Sequence, residues 1–309
     1  MTTISSNSTS AFYTTASQQL SSLQQEVTQV DNSISSGNQY TDAAQNPEAA
    51  AEMRMLQLQG TQASADTASA NKASANLQLA DSTMTSMIND INQARSLATQ
   101  AASGTVNDKQ RAAIGDQITQ IQQDLLSLAN TRDANGNALF GGGVSGNAYS
   151  LDANGNATYQ GAATAPTLPI GGGQSVATSV TGPELLNMTD ANGNSTNLID
   201  ALGSLASALK AGGSAAQTAA STALTSLANG LDAVTTAQTV VGSRESWLSL
   251  NTQNQTAAAT ARATEESHIG DTDVSSAAIK LQQLTTALQA SQACFVRVSS
   301  LSLFNVIGN

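Results

Sequence analysis

Between Pro47 and Gly104 the chain holds no helix breaker stronger than Gly60. Within that stretch Leu77, Ala80, Met84, Met87, Ile91, Ala94, Ala98 and Ala101 recur at alternating steps of three and four. That period puts one apolar stripe along a helix and predicts packing on another helix. At about 1.5 Å per residue, such a helix reaches on the order of 80 Å. A compact domain seldom contains one, so the spacing predicts a rod. Its start is marked: Asn46 as N-cap, Pro47 at the first helical position, Glu48 in the first turn.

The same period recurs on both sides. Tyr13, Ala16, Leu20, Leu23, Val27, Val30 and Ile34 form a heptad seam that "SSG" at 35–37 ends. Asn107 caps a helix carrying Ile114, Ile118, Ile121, Leu125 and Leu128, and its short link to the preceding helix predicts antiparallel neighbours. Helix resumes near Leu198 with Leu202, Leu205 and Leu209, and breaks at Gly212-Gly213. A longer seam follows: Leu224, Leu227, Leu231, Val234, Gln238, Val241, Glu245, Leu248. After the polar "SHIGDTDVS", a last stripe runs Val274, Ala277, Leu281, Leu284, Leu288, Ser291, Phe295, Val298. Charged residues are 11 % and aromatics 3 %, against about 25 % charged in an average globular chain. Such a composition makes narrow seams rather than a thick core.

Residues 136–195 differ in kind. They hold three of the four prolines and two Gly-Gly-Gly runs. The pentapeptide Asp-Ala-Asn-Gly-Asn occurs at 133–137, 152–156 and 190–194. Asn-Gly beside β-prone residues predicts type I′ hairpin turns, and "NALFGG", "NAYSL" and "ATYQG" are the candidate strands. A calcium loop of the EF-hand kind needs Glu at its last position, where these copies place Val144, Ala163 and Ala201. One carboxylate per copy holds no metal tightly.

Net charge is −11, with no Lys or Arg between Arg132 and Lys210. Neutralising phosphates needs clustered cations, so nucleic acid is not an expected partner. No apolar run approaches the roughly 20 residues of a membrane span. No charged side chain precedes Glu26, so a cleaved secretory signal is not expected either, and these rules alone point to the cytosol. His268 reads as a solvated residue of an inter-helix linker. Cys294, one residue before Phe295, reads as a small buried hydrophobe. Neither Gly-rich run is followed by Lys-Ser/Thr, so no P-loop is present. No cofactor, metal site or catalytic residue is expected.

The two terminal seams hold few large apolar residues for the length of chain they must order. They are expected to become firm only against neighbouring subunits, which predicts a polymer. The expected subunit-packing residues are Leu20, Leu23, Val27, Val30 and Ile34 with Leu281, Leu284, Leu288, Phe295 and Val298.

Three stretches, in order, resemble the bacterial axial flagellar proteins. They are "SISSGNQYTDAAQNPEAAAEMRM", "INQARSLATQ…LLSLANTRDANGNALFGG" and "DTDVSSAAIKLQQLTTALQASQACFVRVSSLSLFNVI". Pro47 with its Ala run, and "ALFGG" after "TRDANGN", are more similar to the hook–filament junction members than to flagellin. The insert does not carry the resemblance, and Cys294 departs from it. The resemblance implies a secreted, structural, non-enzymatic subunit in the extracellular flagellum. It implies a homo-oligomeric ring between the first hook-associated protein and flagellin, with no membrane insertion. Type III export through the uncharged "MTTISSNSTSAF" and a chaperone shielding the carboxy-terminal helix are implied with it. A filament-forming flagellin, or an adhesin acting through the insert, are the alternatives.

The expected fold is mainly α with a small β insert: an elongated antiparallel helical rod with paired terminal helices. Its divisions are a terminal assembly helix (1–46), the first half of the rod (47–135), a β-rich outer domain (136–195), the second half of the rod (196–269) and a closing assembly helix (270–309).

Overall fold

A computed structural model describes residues 3–40, 42–152 and 155–307. The chain is mainly helical. In order come α1 (Thr3–Ser36), α2 (Pro47–Ala102), α3 (Asp108–Ala129), β1 (Tyr149–Leu151), β2 (Ala157–Tyr159), β3 (Thr167–Pro169), β4 (Ser175–Ala177), α4 (Gly182–Leu186), β5 (Asn187–Thr189), β6 (Ser195–Asn197), α5 (Leu198–Ala211), α6 (Gly213–Gly270) and α7 (Val274–Ile307). These form two compact units, residues 62–256 and residues 1–61 with 257–309.

In the unit 62–256, every residue of the α2 stripe from Leu77 to Ala101 is buried. Ile114, Ile118, Ile121 and Leu125 of α3 are buried in the same core, as are Leu198, Leu202, Leu205 and Leu209 of α5 and Leu227, Val234, Val241 and Leu248 of α6. Within this unit α2 and α6 run antiparallel. Thr67 Oγ1 donates to Gln255 Oε1 at 3.0 Å, and Gln238 Nε2 to Asp81 Oδ1 at 2.9 Å. Gln217 Nε2 reaches Ala102 O at 3.0 Å near the other end. The polar seam position Gln238 thus fixes register between two helices. Glu245, the other one, leaves Oε1 buried without a hydrogen-bond partner. Burial and the nearby Asp81 push its carboxyl above the usual range.

The closest helix approach in this unit is between α3 and α5, which the seams do not announce. Two glycines permit it. A Cβ on Gly115 would lie 2.9 Å from Ala206 O, and one on Gly203 2.6 Å from Gln122 Nε2. Gln122 Nε2 donates to Ile199 O at 3.1 Å across the interface. Asn107 caps α3 as expected, in a full capping box with Gln110.

The insert is built of antiparallel two-stranded hairpins, β1–β2, β3–β4 and β5–β6. It is fastened to α6 through Arg244 Nη1 to Ser179 O at 2.6 Å and Gln255 Nε2 to Ile170 O at 2.6 Å. Asn130, the C-cap of α3, exchanges two hydrogen bonds with the backbone of Tyr149. Phe140, Tyr149, Ile170, Leu185 and Leu186 extend the helical core into it.

Four local expectations are corrected. "NALFGG" is not a strand but turns and a single bridge, Arg132 to Ala138, because Gly142 and Gly143 take positive φ. The first and third pentapeptides are hairpin turns, but not type I′. Among the described residues only glycines have positive φ, whereas type I′ needs it at both central residues. His268 lies on α6, which continues to Gly270, rather than in a linker. Cys294 is exposed: α7 packs through one face, and Cys294 stands beside that face rather than on it.

In the first pentapeptide, Gly136 N–H donates to Asp133 O at 2.9 Å and Asp133 N–H to Asn137 O at 2.8 Å. Gly136, at φ 82°, closes a three-residue loop with a glycine bulge. Asp133 Oδ1 accepts from the backbone N–H of Asn135 and of Asn137, each at 2.9 Å. The third copy repeats this around Asp190. The described residues of the second follow it too, with Ala153 and Asn154 outside them. Burial pushes the Asp133 carboxyl up, but the N–H donors of Asn137 and Asn135 outweigh it and hold the group below its usual value. The oxygens that a cation would need are already occupied by the turn.

Candidate assembly interface

The candidate site is the pair of terminal helices in the unit 1–61 with 257–309. Their sequences specify helix by long breaker-free runs with apolar residues every third or fourth position. Gly37 at φ 73° ends α1. Asp273 begins α7: its Oδ1 accepts Ser275 N–H at 3.0 Å and Ser276 N–H at 3.3 Å, and its Oδ2 accepts the Ser276 hydroxyl at 2.8 Å. These bonds, that from the Ser276 side chain first, lower the Asp273 carboxyl below its usual range.

The two helices pack on each other antiparallel. At one end the rings of Tyr13 and Phe295 meet edge-on with centroids 5.6 Å apart. At the other, the chain leaving α1 bonds the chain entering α7. Gln39 N–H donates to Gly270 O at 2.7 Å and Thr272 N–H to Gly37 O at 2.8 Å, around an antiparallel bridge from Asn38 to Asp271. Ser33, buried at this end, donates to Gln29 O and Gln39 O. Ser267 Oγ donates to Asp271 Oδ2 just beyond it.

Leu20, Leu23, Val27, Val30 and Ile34 of α1 are half-buried, as are Leu281, Leu284, Leu288 and Phe295 of α7. Their neighbours along each helix are mostly exposed, so the stripe is the line along which the pair touches. Val298 falls off it and is 40 % exposed. Val274, expected to open the α7 stripe, is also off it at 54 %; α7 further presents Ile279 at 60 % and Val296 at 66 %, and α1 presents Phe12. Sequence reasoning passed over Ile279 and Val296. The signal for them was apolar residues out of step with the seam, which mark a second face. Ser33 and the Asn38–Asp271 bridge carried no sequence signal. Met1 and Thr2, at the head of the expected export segment, lie outside the described residues. Among the described residues, no helix is long and apolar enough to cross a membrane.

Two half-buried helices of this kind offer apolar area to further helices. Comparison with known proteins points the same way. Residues 7–145 match the family model described as the bacterial flagellin N-terminal helical region. The chain is 26 % identical to flagellar hook-associated protein 3 of Escherichia coli K12 over 88 % of its length and 90 % of that protein's. It is 24 % identical to the Salmonella typhimurium protein of the same name, with the same coverage. Among solved structures, a putative flagellar hook-associated protein from Vibrio parahaemolyticus aligns with TM-score 0.67 at 16 % identity, covering 74 % of this chain and 100 % of that one. Flagellar hook-associated protein 3 from Legionella pneumophila aligns with TM-score 0.64 at 13 % identity, covering 69 % and 97 %. At these identities the structural likeness is one of fold.

Proposed function

We propose that this chain, a flagellin-like flagellar protein of the hook-associated kind, forms the joint between hook and filament. In this reading a ring of copies sits between the first hook-associated protein and the flagellin filament, outside the cell. The terminal segments 1–46 and 270–309 are the assembling parts. Leu20, Leu23, Val27, Val30 and Ile34 with Leu281, Leu284, Leu288 and Phe295 form the packing seam, Val298 adds exposed apolar surface beside it, and no residue acts as a catalyst. The observation that carries this is the incomplete burial of that seam. Apolar residues left half-covered by one partner helix gain further burial when neighbouring copies arrive, at about 25 cal/mol per Å² removed from water. Export through the type III channel, with a chaperone on the carboxy-terminal helix, belongs to the same reading.

The test is immunogold microscopy of intact flagella with an antibody to the insert. Label confined to the base of the filament is expected. Label along the whole filament would replace the joint with a filament subunit.

A further inference from the structure

The chain contains Asn-Gly pairs at 135–136, 154–155, 192–193 and 229–230. Such a pair is prone to rearrange because glycine offers no side chain to obstruct its own nitrogen. The glycine amide nitrogen attacks asparagine Cγ. An N–C bond forms, the Cγ–Nδ2 bond breaks, and ammonia departs carrying the amide proton. Water then opens the cyclic imide at either carbonyl, leaving aspartate or isoaspartate. The net change is water in and ammonia out.

Asn135 and Asn192 are exposed at hairpin tips, so water reaches both. The turn geometry nonetheless obstructs the first step from both sides. The attacking nitrogens are committed: Gly136 N–H to Asp133 O at 2.9 Å and Gly193 N–H to Asp190 O at 3.1 Å. The Asn135 side chain is held away from its glycine nitrogen, with Nδ2 donating to Asp133 Oδ2 at 3.2 Å. In the third copy Asp190 Oδ2 accepts Asn194 Nδ2 instead, at 3.1 Å, so Asn192 is held through its backbone. The same carboxylates pin the asparagine backbones, Asn135 N–H to Asp133 Oδ1 at 2.9 Å and Asn192 N–H to Asp190 Oδ1 at 2.8 Å. Hydrogen bonds to an ionised acceptor are the stronger kind.

We propose that the leading aspartate of the repeat is a positioning residue that keeps the Asn-Gly pair out of imide geometry, and that Asn135 and Asn192 are conditional modification sites of this chain. The fourth pair is guarded differently. Asn229-Gly230 lies inside α6, with Asn229 Nδ2 on Thr189 O at 2.8 Å. It serves as an internal control.

The experiment is incubation of the full chain at neutral pH, followed by peptide mass spectrometry that separates asparagine, aspartate and isoaspartate at each site. In the native chain Asn135 and Asn192 are expected to convert at least about tenfold more slowly than in the same chain held in urea. Asp133→Ala should speed conversion at Asn135 alone, and Asp190→Ala at Asn192 alone, with Asn229 unchanged in both. Equal rates in native and urea-held wild type overturn the proposal without reliance on any variant. So does an Asp133→Ala chain with native circular dichroism and no gain at Asn135. A variant that speeds all sites together has lost its fold, and the native-to-urea ratio of the wild type then decides.

Discussion

Alanine should stabilise the protein at one of two helical glycines of the same unit and not at the other. At Gly115 in α3 a Cβ would stand 2.9 Å from Ala206 O, 3.1 Å from Lys210 Cγ and 3.2 Å from Leu209 Cβ. The oxygen belongs to the backbone of α5 and cannot swing aside. At Gly242 in α6 a Cβ would meet nothing within 4 Å. Both substitutions gain the same helix-propensity term, about 1 kcal/mol. Gly242→Ala should therefore stabilise the protein by roughly 0.5–1 kcal/mol. Gly115→Ala carries the added overpacking cost of about 1–3 kcal/mol and should end neutral to destabilised. Subtracting one variant from the other cancels propensity and leaves the steric cost of closing α3 on α5. Urea unfolding followed by helical circular dichroism measures both, with unchanged slopes confirming that the denatured state is not involved. If Gly115→Ala raises the midpoint as much as Gly242→Ala does, the close approach of α3 and α5 is wrong.

Other expected outcomes concern the seam, the α2–α6 contact and the insert. Replacing Leu284 and Leu288 together by Asp should leave the helices of residues 62–256 intact by circular dichroism yet block filament attachment, and normal swimming by that double mutant would count against the assembly role. Glu245 has a raised native carboxyl, so the folded chain holds its proton to higher pH than the unfolded one. Stability should fall as pH rises from the ordinary carboxylate value through the raised one. Glu245→Gln should remove that slope, gaining stability at neutral pH and little in acid, as read from denaturation midpoints across pH. Phe140→Ala, at a site 0 % exposed, should cost about 3–5 kcal/mol, seen as a lowered midpoint.

The long helices were legible because burial has a period. Every member of the α2 stripe is in the core, and the sequence spacing was sufficient to find it. Gln238 was legible as an exception but not as a bond to Asp81, since its partner lies 157 positions away in the chain. The insert was legible only as punctuation. The Asp-headed repeats at 133–137 and 190–194 turn the chain as expected, but the turn type follows from a side-chain oxygen capturing backbone N–H groups, not from Asn tolerating positive φ. The hairpin β3–β4 was missed because its Gly-Gly-Gly connection was weighed only as a phosphate loop, when positive φ at Gly171, Gly172 and Gly173 turns one strand into the next. Helix α6 runs on through "SHIG" because polar residues do not end a helix in the absence of Pro or a left-handed Gly. Cys294 was misjudged by assuming that a residue beside a seam shares its burial. A half-covered pair buries one line of residues and little beside it.

The Tyr13–Phe295 contact joins positions near opposite ends of the chain, while residues 62–256 are one unbroken segment. A chain emerging head first can therefore finish its continuous unit early, yet α1 must wait with its seam wet until α7 arrives. Closing that loop costs more chain entropy than a contact local in sequence. A copy cut short before Phe295 would leave α1 without its ring partner, however sound the rest of its fold.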